Sequence, residues 1–475
     1  MPSPRPSLSA WCYSFAWIAS LADQVLHVQV LGTAAGIAML LFLLLEFPNQ
    51  RRYAQVLLIA LVAIGMVGII PSRHPLALFD AGWRRGASYA VFFFAISTLR
   101  DAAQTSRLVH RCGRHLVTQP PGRRYAALTA GGHLFGIILS YGSIDLLGAM
   151  VMRANTLESA GGSAATQSLR TRRMMMAIYR GFAVMNCWNP INIMTVVVSS
   201  AVPAAPMRLL LPFAFLTSLG MVAIGWLEDR QSAARLATRT VTHWQNSDGW
   251  TIHLRVLAIV ALVLVLAEAV SILSGLPLVG CVTLTVPIVA MGWVLVQSQR
   301  TILRRPAERL PRSAAVLHRR IMRFVRHAPN LRAEATVLAG SGFMGVALGS
   351  VLPAGGIAPF IAHVPAWLVP LLVPAVLIVT GQIGLNPIAM IALLGAAVPD
   401  PRALGVSPAA LAFACMLGWG LGVNMTPMSS AAIITARWAR VSPWTVATTW
   451  NLVFTLSSLV LAWVAIAALA AAWDR

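Results

Sequence analysis

Long apolar stretches run along this chain, divided by short polar segments. Runs at 28–47, 54–71 and 84–99 each approach the roughly 20 residues a helix needs to cross a bilayer core. An apolar stretch follows at 126–152, then a broken span at 174–203 and a span at 207–227. A linker rich in Arg, Ser, Thr and Gln covers 228–252, with Glu228, Asp229, Arg230, Arg235 and Arg239. The pattern then restarts with spans at 253–274 and 277–297, a strongly basic segment at 298–333 and an apolar stretch at 334–360. A broken span at 367–399, a span starting near 407 and a last one at 444–471 complete it. These elements predict an all-α polytopic membrane protein of about ten to twelve spans.

The restart is a repeat. Arg114, Pro120, Arg123, Ala130-Gly131 and Gly136 recur as Arg323, Pro329, Arg332, Ala339-Gly340 and Gly345, every pair 209 residues apart. Asn189-Pro190-Ile191 recurs as Asn386-Pro387-Ile388 at a spacing of 197, and each copy is followed by an apolar run ending in Ala-Val-Pro. The longer polar insert of the first half, 153–173, accounts for the shorter spacing. These coincidences in order, several of them carrying Pro or Arg, point to duplication. The expected division is an N-terminal segment and first span at 1–53, repeat one at 54–227, the linker at 228–252, repeat two at 253–440 and a C-terminal span at 441–475.

Composition agrees with this class. Hydrophobic residues make up 58% of the 475 positions, charged residues 11%, and mean hydropathy is +0.74, against about 25% charged in soluble domains. The formal net charge is +22, and with no lysine every strongly basic side chain is arginine. The arginines gather in loops between spans, as the positive-inside rule expects, so no nucleic-acid partner is expected. Five scattered cysteines, with no CxxC spacing, suggest neither a disulfide framework nor a zinc site. The apolar stretch from Ala10 to Ala22 follows Arg5, but Asp23-Gln24 and a full span come next, so a cleaved signal peptide is not expected.

The candidate chemistry sits at the breaks. Proline in a helix removes a donor and frees a carbonyl one turn back, and such a break survives at membrane depth only inside protein or beside a watery cavity. Matching breaks in two halves are the best sequence pointer to a transporter's substrate site. Asn186, Asn189 and Asn192 surround the first break, and Gln382 and Asn386 the second. Amides donate and accept, helix N-termini beginning at each proline favour an anion, and freed carbonyls favour a cation such as Na⁺. The competing reading is a proline kink whose asparagines satisfy loose backbone groups. A third break, 422–430, offers Thr426 and Ser429, or is a polar turn. Asp145 and Glu268 are ionisable groups in apolar segments, hence candidate ion-coupling sites. His133 reads as a packed histidine. No metal-ligand cluster, GxSxG or Walker loop occurs, so an enzyme is not expected and neither is a resident cofactor or metal.

The basic segments preceding the Gly-rich stretches are amphipathic. Ala315, Val316, Ile321, Phe324 and Val325 alternate with Arg319, Arg320, Arg323 and Arg326. Such a helix can lie in the bilayer interface or form a cytoplasmic loop. The stretch at 126–152 is one span or two half-helices turning at Gly142-Ser143.

An arginine-rich arm, a Gly-rich stretch and a helix broken at a polar-Pro site, all repeated, resemble the ion transporter superfamily. That group includes divalent anion–sodium symporters and citrate, arsenite and dicarboxylate permeases. The resemblance covers roughly 100–440. It implies inverted repeats, re-entrant hairpins, discontinuous helices and a homodimer. The substrate site it implies lies between the hairpin tips, at Gly142 and Ser143 and at Gly349 and Ser350, and the helix breaks at Asn186, Asn189, Asn192, Gln382 and Asn386. The Ser-Asn-Thr tripeptide of the divalent-anion symporters does not occur here, and the second tip reads GSVLPAGG. The match is therefore one of architecture. The resulting expectation is an inner-membrane secondary transporter of a small anionic solute, with H⁺ or Na⁺ as coupling ion and the lipid bilayer as surroundings. The alternatives are a non-transporting membrane component of an assembly system and a membrane-embedded transferase.

Overall fold

The computed structural model describes residues 6–234, 249–299, 309–349 and 363–473. Among these the chain is nearly all helical, and no strand occurs. Seven helical stretches are long and apolar enough to cross a membrane: Gln29–Asn49, Arg52–Ile69, Met207–Gln231, Thr251–Ser274, Leu278–Gln297, Pro408–Ala439 and Leu452–Ala472. Other apolar runs are shorter, or belong to helices interrupted by charge.

The chain separates into two compact units. The first comprises the described residues of Met1–Ser106, Ala261–Phe360 and Ile388–Pro399. It holds α1 (Leu8–Leu26), α2 (Gln29–Glu46), α3 (Arg52–Ile69) and α4 (Pro75–Gln104). The predicted span at 84–99 is the middle of α4, which proline starts at a position where no N–H is missed. Most of α11 (Thr251–Ser274), α12 (Leu278–Gln297), the basic α13 (Arg309–His327), α14 (Arg332–Gly349) and most of α16 (Pro387–Ala397) also belong here. The core forms around α14. Phe343 stacks on Trp83 at 4.9 Å and meets Phe79 edge-on at 5.6 Å. Leu61, Met344, Leu348 and Ala396 close a buried cluster. Polar side chains are paired at the edges: Glu46 accepts from Ser9 at 2.6 Å and lies 3.5 Å from Arg332, and Thr336 donates to Gln50 at 2.9 Å.

The second unit comprises the described residues of Arg107–Val260, Ile361–Pro387 and Asp400–Arg475. Its first helix, α5 (Arg107–Val117), is amphipathic. Val109, Cys112 and Leu116 are buried along one stripe, and Arg107, His110, Arg111 and Arg114 are exposed. Then come α6 (Pro121–Leu139) and α7 (Gly142–Ala154). The stretch at 126–152 is thus two half-helices. The chain turns at Ser140, whose φ is 50°, and α7 folds back so that a Cβ on Gly131 would stand 3.5 Å from Leu147 Cδ1. Next are α8 (Ala164–Met185), α9 (Ile193–Ala201) and α10 (Met207–Ala234). The first broken span begins earlier than its apolar run suggests, because Ser163 caps α8 by accepting from Thr166 N at 3.2 Å. The remaining helices are α15 (Leu368–Gln382), α17 (Pro408–Met425), α18 (Ser430–Ala439) and α19 (Leu452–Trp473). One π-helical turn, Thr445–Thr449, precedes α19. Apolar on every side, α17 is buried almost throughout and packs against α8, α9, α10, α15 and α19.

Candidate solute site at the paired helix breaks

The first break is built by asparagine. After α8 ends, the Asn189 Oδ1 accepts from Ile191 N at 3.0 Å and its Nδ2 faces Met185 S at 3.1 Å. Asn192 caps α9 by accepting from Met194 N at 3.0 Å and donates to Asn186 Oδ1 at 2.7 Å. Asn186 donates to Phe182 O at 2.8 Å. The three amides thus give Ile191 N, Met194 N and Phe182 O side-chain partners at the ends of the interrupted helices. Asn186 and Asn189 are buried, while Trp188, Pro190 and Asn192 are half-buried.

The second break is built differently. Gly384, at φ +88°, turns the chain in the left-handed region after α15, with Leu385 N donating to Thr380 O at 3.0 Å. Gln382 donates to Met425 O and accepts from Thr448 Oγ1 at 3.0 Å. It thereby ties the end of α15 to the end of α17 and to the π-helical turn. Asn386 is half-buried just before α16.

Both breaks meet one helix. A Cβ on Gly420 of α17 would collide with Cys187 Sγ in the first break. One on Gly422 would stand 3.2 Å from Leu377 O and 3.5 Å from Pro387 Cγ in the second, and one on Gly418 would stand 2.9 Å from Pro374 Cα. The Gly-Trp-Gly-Leu-Gly run lets two discontinuous helices approach α17 at backbone distance. Immediately beyond lies the third break. Thr426 donates to Gly422 O at 2.6 Å, and Ser429 caps α18 by accepting from Ala432 N at 3.1 Å.

The other sequence candidates are placed as follows. Ser143 is fully buried and donates to Ser140 O at 2.8 Å, closing the turn of the α6–α7 hairpin. Asp145, at the start of α7, is half exposed; Arg437 lies at 2.6 Å and Trp438 Nε1 at 2.9 Å. Glu268 is half-buried on α11 in the first unit. Gly349 ends α14, and Ser350 lies outside the described residues. His133 accepts from Trp188 Nε1 at 2.8 Å, so it braces the first break as a packed residue.

One centre escaped the sequence reading. Arg180, buried on α8, donates Nε to Asn451 Oδ1 at 2.9 Å, Nη1 to Tyr125 OH at 3.2 Å, and Nη2 to Glu228 Oε1 and Trp450 O, both at 3.1 Å. Its guanidinium carbon also lies 4.7 Å from the Phe454 ring centroid, a cation–π distance. Asn451 donates in turn to Asn424 Oδ1 at 2.8 Å, Asn424 donates to Thr455 at 3.0 Å, and Tyr179 donates to Asn424 O at 2.8 Å. About two turns earlier on α8, Arg173 grips Asp229 with two bonds of 2.8 Å. The signal was an arginine inside the apolar run MMMAIYRGFAVM, which deserved the same default suspicion as Asp145 and Glu268. This network joins α6, α8, α10, α17 and α19 one and a half turns before the first break.

No protein-family model and no curated protein matches the chain. Among solved structures, the YdaH transporter of Alcanivorax borkumensis, described as having an unusual topology, is similar at a TM-score of 0.51. The likeness covers 89% of this chain and 97% of that one, at 16% identity. The chain thus has a polytopic membrane fold of a kind that a transporter uses.

Proposed function

We propose that this protein is a secondary active transporter that binds a small anionic solute where its two Asn-Pro breaks abut α17. The observation that carries the reading is the convergence of both breaks, and of the third break at Thr426–Ser429, on the glycine run Gly418–Gly422. Discontinuous helices around one buried core helix suit a solute that must lose its water at membrane depth. The N-termini of α9, α16 and α18 all begin at these breaks, which favours negative charge there. Similarity in fold to a transporter supports the same conclusion. In this reading Gln382, Asn192, Asn386 and Thr426 face the solute in turn as the breaks rearrange, and Asn186, Asn189, Ser143 and Ser429 hold their geometry. Coupling to H⁺ or Na⁺, an inner-membrane location, homodimeric assembly and kinship with the ion transporter superfamily belong to the same proposal.

Thermal unfolding of the purified protein against carboxylates, oxyanions and Na⁺ tests it, because a ligand of the folded state raises apparent stability by mass action. At least one anion is expected to stabilise the wild type, and the shift to vanish in Asn189→Ala/Asn386→Ala. Gln382→Ala serves as a second variant that leaves the first break intact. A shift that survives both variants, or no shift from any anion, overturns the assignment.

A further inference from the structure

The π-helical turn Thr445–Thr449 is gripped by both broken helices of the second unit. Its sequence, Thr-Val-Ala-Thr-Thr, holds no proline or glycine that would widen a turn. The turn closes where Trp450 N donates to Thr445 O at 2.9 Å, five residues back. Turns of this kind are rare and frequently lie at functional sites. Val446 and Ala447 are fully buried and fix its inner face.

On one side stands α8. Arg180 donates Nη2 to Trp450 O at 3.1 Å and Nε to Asn451 Oδ1 at 2.9 Å. About two turns earlier, the guanidinium carbon of Arg172 lies 5.3 Å from the Trp450 ring centroid. On the other side stands the end of α15. Thr448 Oγ1 donates to Gln382 Oε1 at 3.0 Å, and Gln382 donates in turn to Met425 O. The extra residue of the π turn makes this double grip possible. In an α turn Trp450 N would bond Val446 O, and one residue fewer turns one flank against the other by about 100°. That rotation would take either Thr448 from Gln382 or Trp450 O from Arg180.

We propose that Thr448 is a positioning residue of the solute site, through which Arg180 on α8 sets the place of Gln382 at the second break. This rests on the reading of the breaks as that site. The two broken helices are joined through the π turn, so a shift of α8 displaces the turn and Gln382 follows. The joint consists of one hydroxyl bond between Thr448 and Gln382 and one carbonyl bond between Trp450 and Arg180.

Hydrogen–deuterium exchange of the full-length protein in a neutral detergent tests the link without any solute. The reporters are the amides of Gly384 and Leu385, which bond Gly381 O at 3.1 Å and Thr380 O at 3.0 Å. Thr448→Val keeps the shape and loses the hydroxyl. It should speed their exchange about fivefold, the effect of losing one ordinary hydrogen bond. Thr448→Ser should restore the wild-type rate. Arg180→Lys keeps the charge but loses the fork that spans Asn451 and Trp450. It should speed the same two amides, although it bonds neither, and add nothing further when Thr448 is already Val. The amides of α7 should exchange as in the wild type throughout. If Arg180→Lys does not fold, Arg172→Gln at an exposed position takes its place, with a rise of about twofold. Unchanged exchange in Thr448→Val, or no recovery in Thr448→Ser, overturns the positioning role. So do effects of Arg180→Lys and Thr448→Val that multiply in the double variant, or an equal rise in α7. Should no anion stabilise the wild type, the solute reading fails while this exchange pattern still decides whether the breaks are joined. An anion-dependent shift with unchanged exchange keeps the solute site and removes Thr448 from it.

Discussion

α6 and α14 are aligned copies in sequence, yet they take different neighbours. In α6, a Cβ on Gly132 would collide with Ile178 O of α8, and one on Gly181 of α8 would collide with Thr129 O of α6. The first copy thus locks face to face on the broken helix that follows it. In α14, a Cβ on Gly342 would stand 2.7 Å from Gly86 Cα of α4, one on Gly86 would collide with Ala339 O, and one on Gly68 of α3 would collide with Ala347 O. The second copy locks on helices near the start of the chain. The glycine device is shared and the partner is not. The surroundings differ too: α6 brings Tyr125 into a buried network of charged and amide groups, whereas α14 brings Phe343 into a cluster of aromatic rings. The same Gly-rich pattern thus serves a buried polar network in one unit and an aromatic cluster in the other.

The largest test of that contrast is Arg180→Met. It strands Glu228 beside Tyr125 and Asn451, and breaking a buried pair from one side costs about 3–5 kcal/mol. Denaturant unfolding in detergent should show that loss, and adding Glu228→Gln should recover part of it. Arg84→Met in the first unit, where Asp23 lies at 3.4 Å and both side chains are partly exposed, should cost about 1 kcal/mol or less. Equal losses at the two positions would erase the distinction between the units. Next are Gly181→Ala and Gly86→Ala. Each forces a methyl onto a carbonyl and should cost about 1–3 kcal/mol. Their effects should add in the double variant, because each contact lies within its own unit. A third and smaller effect separates architecture from binding. Asn189→Ala removes the acceptor for Ile191 N and should cost about 1 kcal/mol, yet it should abolish the solute-dependent shift in melting temperature.

The helical, membrane-spanning class was legible because apolar runs of membrane length need only one-dimensional information. The break positions were legible for the same reason, since proline carries its effect wherever it sits. What the asparagines do was not: Asn189 and Asn192 cap backbone groups, whereas Gln382 reaches across to Met425 O and Thr448. Similar residue types stand at aligned breaks, and only the tertiary neighbours separate capping from bracing. The role of α17 was hidden as well. Its Gly418–Gly422 run lies inside the apolar span starting near 407 and gives no signal of its own in sequence, while in the fold it is the surface on which both breaks pack. Arg180 was visible, but its partners come from α6, α10 and the start of α19, which no local pattern joins.

The smallest expected effect concerns the two carboxylates that stood out in sequence, one in each unit. In lipid an ionisable side chain is a functional candidate by default because its charge is costly there. Asp145 escapes that cost. Its side chain is 51% exposed, Arg437 at 2.6 Å is 64% exposed, and Trp438 Nε1 supplies a second bond of 2.9 Å. At such exposure solvent screens the pair, so Asp145→Asn should change stability by no more than about 1 kcal/mol. It should also leave the dependence of solute binding on Na⁺ and pH as in the wild type. Glu268, half-buried on α11 in the first unit, is the matched control, tested as Glu268→Gln. If only Glu268→Gln alters that dependence, the coupling group lies in the apolar unit and the polar network of the second unit is structural. If Asp145→Asn alters it, the exposed pair with Arg437 is a gate whose charge matters despite screening, and the hairpin turn at Ser140–Ser143 becomes the element that moves.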